Sequence, residues 1–69
     1  MNSPMTRAWN ELLQSRERAI KDAHAEWTQG NTEAAMDLID EAREDFDNEQ
    51  NEDLVETCEW LWNELDGSL

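Results

Sequence analysis

Apolar residues return along this chain with the period of an α-helix rather than that of a strand. From Trp9, the positions Leu13, Arg16, Ile20, Ala23 and Trp27 follow at steps of 4, 3, 4, 3 and 4, with Met5, Leu12 and Ala19 alongside. That spacing lines one face of a helix. Ser3-Pro4 offers an N-cap and a first-turn proline, and Gly30 offers a stop where a left-handed residue is favoured. The pattern predicts one helix over 4–29. A second stripe, Ala35, Ile39, Ala42 and Phe46 with Leu38 beside it, predicts a helix over 32–47, capped by Asn31 or Thr32. Residues 47–51 include no apolar side chain and read as a connection. Leu54, Cys58, Leu61 and Leu65, widened by Val55 and Trp62 and closed by Gly67, predict a third helix over 52–66. The expected fold is all-α: a three-helix hairpin or bundle in a single domain, 1–69, with the first helix the longest.

These lengths do not match. A straight helix over 4–29 is about 39 Å long at 1.5 Å per residue, against about 22 Å for either of the others. The second helix then covers only the later part of the first. Met5, Trp9, Leu12 and Leu13 are left to be buried against a second copy or a partner, unless the third helix slides along to cover them. Arg16, inside the apolar stripe, is expected to snorkel or to pair with a carboxylate.

The run Ala19, Ala23, Trp27, Gly30, Ala34, Ala35, Ile39 and Ala42 places small residues, an aromatic and a turn glycine in the order of a helical hairpin. Residues 19–47 thereby resemble a single tetratricopeptide-type repeat. Glu26 stands where that family has an aromatic, Asp47 where it has proline, and no second copy follows. The resemblance implies geometry only: the second helix antiparallel to the first, with the third packed on both.

Charge changes the picture more than size does. The 69 residues have a net charge of −13. Residues 1–29 balance Arg7, Arg16, Arg18 and Lys21 against Glu11, Glu17, Asp22 and Glu26, whereas residues 30–69 set fourteen carboxylates against Arg43 alone. Charge of this sign repels nucleic acid and anionic membranes and attracts basic protein surfaces. The N-terminus lacks the apolar core of a signal peptide, and no apolar run approaches the roughly 20 residues of a membrane span. A cytoplasmic protein is expected, in the host cell if a phage encodes it.

The second predicted helix carries Glu33, Asp37, Asp40, Glu41, Glu44 and Asp47 opposite its apolar stripe. Spacings of 3 and 4 set successive carboxylates about 5–6 Å apart in a row, an interval comparable to that between phosphates of one nucleic-acid strand. Arg43 points away from that row. Such a face is either a phosphate-like surface for a groove lined with Lys and Arg, or solvated surface, or an adaptation to high salt. On the third helix Trp60 falls outside the apolar stripe, near Glu56 and Glu64. An exposed tryptophan among carboxylates suits a binding hot spot; the alternative is that it packs under the first helix. Trp27 and Trp62 have core placements.

Little here suggests catalysis. Cys58, the only cysteine, sits on a core stripe and has no histidine nearby in sequence. His24 has no companions to complete a zinc set. Residues 45–56 carry acids at the first, third, fifth and twelfth positions of an EF-hand register, but Gln50 replaces the turn glycine and Glu52 the usual apolar residue. No metal or cofactor is expected, and so small a chain has little room for the water-poor pocket that acid–base work requires.

In size, charge and helical build the chain resembles the small phage and plasmid anti-restriction and anti-CRISPR proteins, a likeness of composition alone. The resemblance implies an inhibitor that mimics nucleic acid and blocks a DNA- or RNA-binding protein; the carboxylate spacing and the wheel position of Trp60 make Glu33, Asp37, Asp40, Glu41, Glu44, Asp47, Glu56, Trp60 and Glu64 the residues expected to meet the partner. Two other readings stand beside it. One is an assembly module that works through Met5, Trp9, Leu12 and Leu13, as a homodimer or on a partner. The other is an ordinary small protein of a salt-loving organism.

Overall fold

The computed structural model describes residues 3–69 and consists of helices joined by short turns. There are four helices among the described residues, not three: α1 (Pro4–Gln14), α2 (Arg18–Thr28), α3 (Thr32–Asn48) and α4 (Glu52–Gly67). The helix expected over 4–29 is broken at Ser15, Arg16 and Glu17, and α3 is the longest element, with 17 residues. The longest dimension of the molecule is 30 Å, shorter than the about 39 Å that an unbroken first helix would need.

The break is made by side-chain chemistry without glycine or proline. Arg16 is left-handed, with φ of 62°, and its N–H donates to the Leu13 carbonyl at 3.2 Å. In the usual Schellman stop the next N–H would reach back to the carbonyl of Leu12. Here the Ser15 hydroxyl stands between them: its Oγ accepts from the Glu17 N–H at 3.3 Å and donates to the Leu12 carbonyl. The helix stops because a serine relays the missing bond.

The other two turns use the full Schellman pairing. At Gly30 (φ 89°) the bonds are Gly30 N–H to Trp27 carbonyl, 3.0 Å, and Asn31 N–H to Glu26 carbonyl, 2.9 Å. Gln50 (φ 62°) repeats them with Asp47 at 3.0 Å and Phe46, through the Asn51 N–H, at 2.9 Å. Each of the three turns between helices therefore rests on one left-handed residue, and glycine fills only one of the three positions.

Packing follows from the break. α2 packs on α3, α3 on α4, and α1 folds back to lie chiefly on α4 while still touching α2. Leu12, Ile20, Ile39, Leu61 and Leu65 are fully buried, each contributing about 1.5–3 kcal/mol by leaving water. Ala19 and Ala23 on α2 and Ala35 and Ala42 on α3 are also buried, and small side chains let two helices approach closely.

The expected lack of cover at the N-terminus does not occur. Trp9 is 2% exposed and Leu12 fully buried, while Met5 and Leu13 pack partly covered against the same core. Because the chain reverses at Arg16, the stripe meant for a second copy meets α2 and α4 of its own molecule. Trp27 and Trp62, given core placements by their spacing, are only half-buried at its edge. Arg16 is exposed at the turn and forms no ion pair among the described residues.

Candidate functional site

The site is built on the outer faces of α3 and α4. Glu33, Asp37, Asp40, Glu41, Glu44 and Asp47 are all exposed along α3, and Glu56 and Glu64 along α4. The apolar stripe of α3 fixes this arrangement: burying Ala35, Ile39, Ala42 and Phe46 turns the acidic positions outward. α3 and α4 pack on each other, and the two acidic rows meet at Asp40 and Glu59, which line one groove. Of the fourteen carboxylates after residue 29, only Asp45 is partly covered.

The α4 half of this wall is larger than its sequence suggested. Glu52, Glu56, Glu59 and Asp66 are exposed together with Asn63, and their steps of 4, 3, 4 and 3 reproduce the spacing of the α3 row. Steps of 3 and 4 from the expected Glu56 lead in the sequence to Glu52, Glu59 and Asp66 as well.

Arg43 does not point away from the row. Its Nη2 lies 3.3 Å from Oδ1 of Asp40, with Nε at the same distance. This is the ion pair among the described residues, and it is a surface contact, with side chains 35% and 58% exposed. Such pairs contribute about 0–1 kcal/mol. Thirteen of the fourteen carboxylates therefore have no ion-pair partner among the described residues. Arg7 is exposed on α1, Arg16 in the turn after it, and Arg18 and Lys21 on α2.

Trp60 lies between its two expected environments, neither fully exposed nor packed under α1. The residue is 40% exposed, and it borders α1 across a groove of about 620 Å3 lined by Pro4, Arg7, Ala8, Glu11, Glu56 and Thr57. The Thr57 hydroxyl donates to Glu11 across the same groove at 3.3 Å. A second groove, of about 350 Å3, runs between α3 and α4, with Asp40, Arg43, Glu59 and Asn63 at its rim and Trp62 in its wall.

The remaining candidates are structural. His24 packs against Trp9 edge to face, ring centroids 5.1 Å apart, and lies beside Trp27. Cys58 is fully buried, and burial pushes its thiol up to about 12, which suppresses the thiolate a nucleophile requires. The register of an EF-hand is taken up by helix: residues 45–48 belong to α3 and 52–56 to α4, leaving three residues between them. Among the described residues no group of three His, Cys, Asp or Glu side chains is placed to hold a metal, and no helix is long and apolar enough to cross a membrane.

Comparison with protein-family models, curated proteins and solved structures returns no match for this chain.

Proposed function

We propose that the protein is a non-catalytic inhibitor that presents the acidic faces of α3 and α4 as a substitute for nucleic acid and occupies the basic groove of a DNA- or RNA-binding protein. A host-defence complex of the restriction or CRISPR type is the class of target its size and charge suit. One observation carries this reading: twelve exposed carboxylates of α3, α4 and the turn between them have no ion-pair partner among the described residues. Like charges at spacings of 3 and 4 destabilise a helix by about 0.2–0.5 kcal/mol per pair. A fold that keeps them without interleaved lysines retains a cost that a cationic partner would relieve.

Trp60 supplies the apolar anchor such a surface needs, since an indole flanked by carboxylates stacks well on a guanidinium. The alternative, assembly through Met5, Trp9, Leu12 and Leu13, is favoured less, because Trp9 and Leu12 are spent on the chain's own core.

The test is capture from an extract of the source cell, followed by elution in graded salt and by duplex DNA or RNA. Partners released by both moderate salt and nucleic acid are expected. A partner that nucleic acid does not displace would overturn the mimicry.

A further inference from the structure

We infer that the groove between α3 and α4 is a receptor for one arginine side chain of the partner, an inference that rests on the acidic wall meeting a cationic protein. The wall is not uniform. At about 350 Å3 this concavity lies at the small end of the about 300–1,000 Å3 range of ligand pockets, which suits one side chain and not a segment of chain.

Its lining matches arginine part by part. Ile39 and Cys58 close its base but are fully buried, so the apolar surface open to a methylene stem is that of the half-buried Trp62. The half-buried indole of Trp62 forms a flat wall, and guanidinium groups stack on such faces. Asp40 on one helix and Glu59 on the other supply carboxylates at the rim, both exposed, and carboxylates accept guanidinium in a fork of two hydrogen bonds.

Charge complementarity selects a cation. The rim holds two carboxylates and one guanidinium, leaving it net negative. The chain itself shows that this rim accepts the group: Arg43 rests on Asp40 at 3.3 Å through both Nε and Nη2, which share one carboxylate oxygen. The second oxygen of Asp40 and both oxygens of Glu59 have no hydrogen-bond partner among the described residues. An incoming arginine takes these positions or displaces Arg43.

The experiment is an NMR titration of the isotope-labelled, full-length chain with Nα-acetyl-arginine amide, beside its neutral isostere Nα-acetyl-citrulline amide. Saturable shifts are expected at the Trp62 indole N–H and at the amides of Cys58 and Asn63, with arginine only. Asp40→Asn combined with Glu59→Gln, both at exposed positions, should weaken binding by roughly ten-fold, the scale of one charge-assisted hydrogen bond. Arg43→Ala should tighten it by freeing Asp40. Equal response to citrulline, or unsaturated shifts spread over every acidic position of α3 and α4, overturns the assignment. The two proposals fail separately. A salt-sensitive, nucleic-acid-displaced partner whose affinity ignores the Asp40/Glu59 variant removes the groove and leaves the mimicry. Saturable arginine binding without any such partner removes the mimicry and leaves the groove.

Discussion

Trp9 and Trp27 stack with ring centroids 5.4 Å apart and planes inclined by 29°, although eighteen residues separate them in the sequence. In a continuous helix they would lie about 27 Å apart. The contact exists because the chain reverses at Arg16, and it is the interior evidence that α1 and α2 are two elements.

Trp9 should therefore be indispensable to folding. Trp9→Ala is expected to cost about 3–5 kcal/mol, most of the about 3–10 kcal/mol available to a chain of this length. Its Nε1 is buried with no hydrogen-bond partner among the described residues, so Trp9→Phe loses no bond to them and should cost markedly less. Urea denaturation followed by circular dichroism separates the two. Equal, small effects would place Trp9 at the surface instead.

The turn itself offers a paired test. Ser15→Ala removes the hydroxyl that joins the Glu17 N–H to the Leu12 carbonyl and should destabilise by about 1 kcal/mol. Arg16→Gly relieves a left-handed conformation that costs an L-residue about 1–2 kcal/mol, partly offset by the greater freedom of glycine when unfolded, for a net gain of about 0.5–1 kcal/mol. Opposite signs in thermal unfolding are expected; a loss in both would mean the helix does not turn there.

Glu17 gives a dependence on pH. Burial, followed by the Asp45 carboxylate and then by Glu49, raises its carboxyl above the ordinary 4.5, against a lowering by the Ala19 N–H. A raised carboxyl adds stability below pH 4.5 that is lost as pH rises through its folded value. Glu17→Gln should then raise the melting temperature at neutral pH, with the gain shrinking as pH falls below 4.5. A gain that is constant with pH would contradict this.

Cys58 acts at the alkaline end. Burial pushes its thiol from 9.0 to about 12, with smaller opposing effects of Arg43 and of Glu17 and Glu59. Between those values the unfolded thiol ionises while the folded one keeps its proton, so stability falls as pH rises. Cys58→Ala should flatten that part of the profile, and the native thiol should react with disulfide reagents only as fast as the chain unfolds. Fast reaction in the folded state would contradict the burial.

The helices bounded by glycine or by a polar run were legible in the sequence. Those expected over 32–47 and 52–66 lie within a residue of α3 and α4. The break at Ser15-Arg16 was not legible, and the reason is physical. A stripe at steps of 3 and 4 continues through the turn, because both arms face the same core and each needs its own apolar face. Nothing at Arg16 signals a left-handed residue as glycine does at Gly30. The site shows the same division. The outward direction of Glu33, Asp37, Glu41 and Glu44 follows from the α3 wheel alone. The groove joining Asp40 to Glu59 and Trp62 depends on how α3 meets α4, which no single-helix pattern contains.

The most direct measurement of the mimicry is the affinity of a captured partner across a salt series, for the native chain and for Glu41→Gln combined with Glu44→Gln. The native affinity should fall steeply with salt. The variant should bind more weakly with a shallower slope while unfolding at a higher temperature, since a like-charge pair on α3 is gone. Affinity indifferent to salt, or a variant that binds as tightly as the native chain, would contradict the claim that these carboxylates are held for a cationic partner.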